Sequence, residues 1–197
     1  MTRYRRLARR ILESEFINLP NSHWLVKSPW DDRYQCIAWA ACRTDIKMWP
    51  VNELDFPVFP PDHYWPEGVP RVETVDAFIQ AFSKLGYSQC DNQAFEFGYQ
   101  KVAIYVGPDK LVTHMARQAF WGSGWLSKLG DYEDIWHADL HNISINIIGG
   151  DYGNAERILK RTWWSAWIRL SLFKCGWHTF KFWIYRLLHR YAGNCVS

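Results

Sequence analysis

The spacing of apolar positions changes along the chain, and each change marks an element. Between residues 3 and 16, Tyr4, Leu7, Ile11, Leu12 and Phe16 recur at helical spacing with arginines between them, which predicts a short amphipathic helix. Pro20 and Asn21 open a loop, and Tyr34 to Cys42 is an apolar run that predicts a second helix with Cys36 on its first turn. Trp49 to Pro70 carries Pro50, Pro57, Pro60, Pro61, Pro66 and Pro70, which forbid regular structure. Its aromatics, Tyr64 and Trp65 among them, require burial or a ligand, so the stretch is expected to cover one side of a cleft. From Glu73 to Leu85, Val75, Phe78, Ile79, Phe82 and Leu85 form a clear helical stripe, closed by Gly86. The period then shortens. Residues 101–106, 111–120 and 125–129 predict three antiparallel strands joined by turns at Gly107 to Lys110 and Gly122 to Gly124. Ile143 to Ile148 and Asp151 to Arg161 predict a last strand, turn, and strand or short helix.

Helices first and strands after them predict an α+β domain over residues 1–161, with the Cys36 helix packed on a small antiparallel sheet. From residue 162 the pattern differs. Leu170, Phe173, Trp177, Phe180, Ile184, Leu187, Leu188 and Tyr191 fall within one helical arc, with Lys174, His178, Lys181, Arg186, His189 and Arg190 outside it. Residues 162–197 are thus expected to form an appended amphipathic helical tail. Its composition suits an anionic membrane surface, and equally the acidic body of its own chain. It holds no uncharged run long enough to span a bilayer.

Composition narrows the classes. With 197 residues and 48% apolar content the chain can bury one core. Its 20 acidic residues all lie between positions 11 and 159, whereas residues 1–10 hold five arginines and no acid. Basic residues in the tail are sparse and follow no readable motif, which argues against nucleic acid as a partner. The five cysteines are odd in number and lack paired zinc spacing, which excludes a disulfide framework or structural zinc as the first expectation and points to a reducing cytoplasm. No P-loop or dinucleotide fingerprint occurs, and no cofactor is expected. His137 and His141 are four apart, but without a zincin pattern they read as part of a solvated segment, so no metal site is expected.

The candidate chemistry is thiol catalysis. A helix start offers unpaired backbone N–H groups that favour thiolate and can hold an oxyanion, so Cys36 is the candidate nucleophile. His114, on the strand at 111–120, is the candidate general base. A third, orienting residue is expected on the neighbouring strand, with Ser127 and Asp131 as candidates. Gln35 and the Cys36 N–H are the candidate oxyanion donors. Trp39, Tyr64, Trp65, Arg117 and Lys128 are candidate substrate contacts, although Arg117 faces away from His114 in a regular strand. Cys42, six residues beyond Cys36, is expected in the core.

The runs Cys36-Ile-Ala-Trp-Ala, Tyr64-Trp-Pro-x-Gly-Val-Pro-Arg71, Lys101-Val-Ala-Ile-Tyr, Thr113-His-x-Ala-Arg-Gln118 and Trp125-x-Ser-Lys-Leu-Gly130 carry a resemblance. Over residues 12–161 the chain resembles an uncharacterised bacterial domain family of unknown function that looks like a papain-like, NlpC/P60-type fold. The resemblance implies a Cys36–His114 thiol hydrolase site, leaves the third member open and supplies no substrate. The function expected is a cysteine hydrolase that cleaves an amide bond through an acyl-thioester. The rival expectation is a non-catalytic papain-like scaffold whose C-terminal helix binds a membrane surface or a protein partner. The location expected is the cytoplasm, with peripheral membrane attachment through 162–197.

Overall fold

The computed structural model describes residues 3–16, 18–52, 60–144 and 152–163. The tail helix expected over 162–197 lies outside the described residues, apart from Thr162 and Trp163.

Helix α1 (Arg3–Glu15) leads into β1 (Trp24–Val26), α2 (Cys36–Ala40), β2 (Lys47–Met48), β3 (His63–Tyr64) and α3 (Val75–Lys84). The remaining strands are β4 (Ser88–Cys90), β5 (Tyr99–Val106), β6 (Val112–Gln118), β7 (Trp125–Lys128), β8 (Asp134–His137) and β9 (Asn154–Thr162). Seven of the strands form one antiparallel sheet in the order β1-β8-β7-β6-β5-β9-β4, while β2 and β3 pair in parallel as a separate ribbon. The fold is α+β.

The expected meander β5-β6-β7 is the middle of this sheet. Three strands of this sheet were not anticipated, and neither was the β2–β3 ribbon, whose His63–Tyr64 gives regular pairing inside the proline-rich stretch expected to have none. Asp134–His137 alternates too briefly to stand out, and β1 and β4 are three residues each. The last strand, β9, inserts beside β5, not after β8, and its pairing from Tyr99↔Thr162 to Val106↔Asn154 is the longest in the molecule. A 3-10 turn covers Leu140–Ile143, capped by Asp139; most of the strand expected over 143–148 lies outside the described residues.

The sheet separates two cores. On one side α2 and α3 pack Ile37, Ala38, Phe78 and Phe82 against Val102, Ile104, Val112 and Met115. On the other, α1 packs Ala8 and Leu12, with Phe16 beyond it, against Ala103, Tyr105, Ala116 and Ile135. Burying an aromatic the size of Phe78 or Phe82 contributes about 1.5–3 kcal/mol. Helix α1 is held by the burial of Ala8 and Leu12, since its first turn carries arginines and no acid, against the helix dipole.

Between β6 and β7 the backbone pairing is short, limited to Arg117↔Leu126 and Gln118↔Trp125. Helix α2 lies against both strands.

Candidate active site

Cys36 is the first residue of α2 and is buried in the α2–α3 core. Burial pushes its thiol up to about 11. The backbone N–H groups of Met115, Ile37 and Cys36 itself work the other way, as does the charge of Lys128, but they do not outweigh it. Contact with the Met115 N–H puts the sulfur on the α2 side of β6, whereas the His114 ring turns to the α1 side with Tyr105, so the two side chains expected to face each other start from opposite faces of the sheet. Among the described residues, no hydrogen bond joins the Cys36 sulfur to the His114 ring.

His114 pairs with Tyr105 across β5 and β6 and shares its face of the sheet. Its ring meets Tyr105 edge-on at 5.3 Å and stacks on Tyr152 at 4.3 Å. Enclosure between these rings lowers its pKa to about 3, with the neighbouring His137 as the second cause. His114 is therefore a neutral imidazole, and its hydrogen bonds fix which nitrogen carries the proton.

The proton order can be followed from the far end. His137 Nδ1 lies 2.7 Å from the Asp139 carbonyl, which can only accept, so Nδ1 carries hydrogen and donates. With the ring neutral (burial holds it at about 4), His137 Nε2 must accept, and Ser127 Oγ donates to it at 2.9 Å. Ser127 Oγ then accepts from His114 Nε2–H at 3.1 Å. This leaves His114 Nδ1 as a bare lone pair, buried and without a partner among the described residues. Three groups from two strands and a turn thus hold one imidazole as a base with its lone pair free.

Of the two residues considered as orienter, Ser127 is the one bonded to His114. Asp131 is exposed in the turn between β7 and β8. His137 was read from sequence as solvated. Instead it is buried in β8, where the alternation with Ile135 (positions 135 and 137 on one face) is the signal that could have placed it. His141 is exposed, so the spacing of the two histidines has no bearing on the site. Among the described residues, no three His, Cys, Asp or Glu side chains gather as a metal-binding group.

The other candidates scatter. Gln35 accepts the Met48 N–H at 2.8 Å, tying the start of α2 to β2. Lys128 is buried on the face opposite Ser127, bonded to the Tyr132 carbonyl and 5.4 Å above the Tyr34 ring. Burial lowers its pKa while Asp134 and Asp131 raise it. Tyr34 donates to Asp134 at 2.9 Å. Burial raises the Asp134 pKa, and its Oδ1 has no partner among the described residues. Tyr34 also stacks on Trp39 at 5.8 Å, and the Arg117 guanidinium lies 4.4 Å over Trp39 on the same side of the sheet as α2. Tyr64 lies in β3 beneath the Arg43 guanidinium. Trp65 is a correction: it is buried against Phe78 with its N–H on the Pro70 carbonyl, so it is core and not a surface that substrate can touch.

Cys42 is a correction too. It follows α2 with φ at 67°, is only partly buried, and receives hydrogen bonds from Arg117 and Gln100 at 3.0 and 3.1 Å. Burial pushes its thiol up, but Arg117 and Arg161 outweigh that and bring it to about 7.

No helix among the described residues is long and apolar enough to cross a membrane. No curated protein and no solved structure matches the chain. Residues 25–160, well over half of it, match the model of a domain of unknown function (DUF7689). That span holds α2, the sheet core and every member of the His114 relay, and the chain therefore belongs to the DUF7689 family.

Proposed function

We propose that this protein is a papain-like cysteine hydrolase that cleaves an amide bond through an acyl-thioester. The observation that carries the reading is the ordered relay Asp139 carbonyl–His137–Ser127–His114, which leaves a single unprotonated ring nitrogen on His114. A neutral histidine held at one nitrogen and bare at the other has the protonation state of a general base, and entry of substrate and water must relieve the burial that holds its pKa near 3. In support, Cys36 stands at a helix start, its sulfur resting on the backbone N–H of the residue after His114.

With the thiol near 11 and the imidazole near 3, the resting pair is neutral. The Cys36 sulfur must first reach across to His114 Nδ1 where the β6–β7 pairing stops; Nδ1 then takes the thiol proton as the sulfur attacks the carbonyl carbon. The C–S bond forms, the carbonyl electrons move onto oxygen, and the Cys36 and Ile37 N–H groups stabilise that charge. As the tetrahedral species collapses, the C–N bond breaks and the imidazolium returns its proton to the departing amine. Water then attacks the thioester with the same imidazole as base, the C–S bond breaks as the carboxylic acid leaves, and the imidazolium returns its proton to the Cys36 sulfur. In this scheme Ser127 and His137 are positioning residues.

The test uses p-nitrophenyl acetate on the Cys42→Ser chain, with peptide mass mapping of the acyl adduct. An acetyl group on Cys36 that disappears in Cys36→Ser and forms roughly 10²-fold more slowly in His114→Ala or His114→Gln is the expected result. Acylation absent from Cys36, or unchanged in a folded His114 variant, overturns the reading.

A further inference from the structure

A second sulfur site, on the α2 side of the sheet, owes nothing to the His114 relay. Three N–H groups converge on Cys42 Sγ: Arg117 Nη1 at 3.0 Å, Gln100 Nε2 at 3.1 Å and Arg161 Nη2 at 3.5 Å. They come from β6, β5 and β9, which are adjacent in the sheet, so the register of its centre builds the site. A thiol would need somewhere to place its own hydrogen. The acceptor in reach is Gln100 Oε1 at 3.5 Å, and that oxygen already takes the Tyr87 hydroxyl at 2.9 Å and Arg161 Nε and Nη2 at 3.1 and 2.9 Å. An anionic sulfur suits the site, because it accepts three donors and has no hydrogen to place.

Charge leads to the same conclusion. Arg161 is 4% exposed, with its guanidinium 4.5 Å over the Tyr87 ring, and Arg117 lies over Trp39. Among the described residues, neither forms an ion pair with a carboxylate. Two guanidinium groups gathered in the protein without an acid require an anion, and Cys42 is the group between them that can become one. Its backbone is left-handed, a conformation that usually goes to glycine or asparagine, so a cysteine there is kept against its backbone preference.

We propose that Cys42 is a resident thiolate and a modification site, a nucleophile that small hydroperoxides oxidise to sulfenic acid. The sulfur of Cys42, a half-buried residue, attacks one oxygen of hydrogen peroxide. An S–O bond forms, the O–O bond breaks, and the two electrons pass to the departing oxygen, which leaves as hydroxide. The products are Cys42–SOH and hydroxide, which the solvent protonates. Arg117 and Arg161 stabilise the charge on the leaving oxygen as they stabilised the thiolate. Cys36, enclosed in the core, is not a competitor for the oxidant.

Two measurements on the full chain test this. The first is the pH dependence of iodoacetamide alkylation, resolved for each cysteine by peptide mass mapping. The Cys42 rate is expected to reach half its maximum near pH 7, and a midpoint at or above the free-thiol value of about 8.5 overturns the proposal. The second is brief exposure to hydrogen peroxide with dimedone present. The sulfenic-acid adduct is expected on Cys42 at least about tenfold over Cys36 and Cys90, and an even distribution overturns it. Arg117→Gln and Arg161→Gln are expected to move the midpoint upward, and Arg117→Lys to restore part of the shift. The wild-type profile decides the matter if a variant does not fold.

Discussion

Ser127 is the residue on which two buried imidazoles depend for their hydrogen bonds. Removing its hydroxyl strands His114 Nε2–H and His137 Nε2 in the core, and each orphaned group costs about 1–3 kcal/mol. Ser127→Ala is therefore expected to lower stability by about 2–4 kcal/mol, read from the denaturation midpoint at unchanged m-value. A loss under about 0.5 kcal/mol would mean the two rings find other partners. Sequence showed that Ser127 sits on the strand beside His114, but not that it donates onward to His137. A serine is a weak orienter by itself, and it becomes a strong one because a second histidine fixes the direction of its proton.

At the scale of elements, the turn between β6 and β7 sets where His137 lies. Gly124 has φ at 100°, and a Cβ there would stand 2.5 Å from the His137 carbonyl and 3.0 Å from the Trp136 ring. Both the backbone angle and the space demand glycine. Gly124→Ala is expected to cost about 1–3 kcal/mol and to loosen β8 against β7. Faster amide exchange at the β7–β8 pairs, with β5–β9 unchanged, is the measurement, and uniform exchange across the sheet would contradict it. Gly153 is held by the same logic, since its Cβ would meet the Val106 carbonyl at 1.7 Å, where β9 begins to pair.

For the whole molecule, two buried neutral histidines tie stability to pH. Their folded pKa values, about 3 for His114 and about 4 for His137, lie below the unfolded value of about 6.5. The unfolded chain thus binds the protons first as pH falls. The stabilisation is fully present above about pH 6.5 and is lost towards pH 3–4, at up to about 1.4 kcal/mol per pH unit for each histidine. Asp134 acts in the opposite sense, because burial raises its pKa and the folded state takes up that proton more readily. Asp31 and Asp45, whose arginine hydrogen bonds hold them low, add to the loss only at the acid end. Urea titrations at pH 7, 6 and 5 are expected to show falling stability before the low-lying carboxylates Asp31 and Asp45 titrate, with Asp134 offsetting part of the fall, and a flat profile in Asp134→Asn would mean that the rings are charged or exposed.

Local pattern carried the elements that local chemistry controls. The stripe of Val75, Phe78, Ile79 and Phe82 gives α3, the arginine-spaced apolar residues give α1, and the β-branched runs give β5 and β6, because period and propensity act over a few neighbouring residues. The same reach put Cys36 on a helix start and His114 on a strand. Tertiary structure decided what these residues meet. The insertion of β9 beside β5 carries Arg161 to Cys42, and β8 beside β7 carries His137 to Ser127. Both are contacts between distant stretches, fixed by register across the sheet, and a one-residue slip would turn those side chains to the other face. The sequence alone therefore names the helices, the central strands and the residue types. Only the packed sheet determines that His114 keeps a bare nitrogen and that Cys42 lies between two arginines, since both depend on partners more than ten positions away.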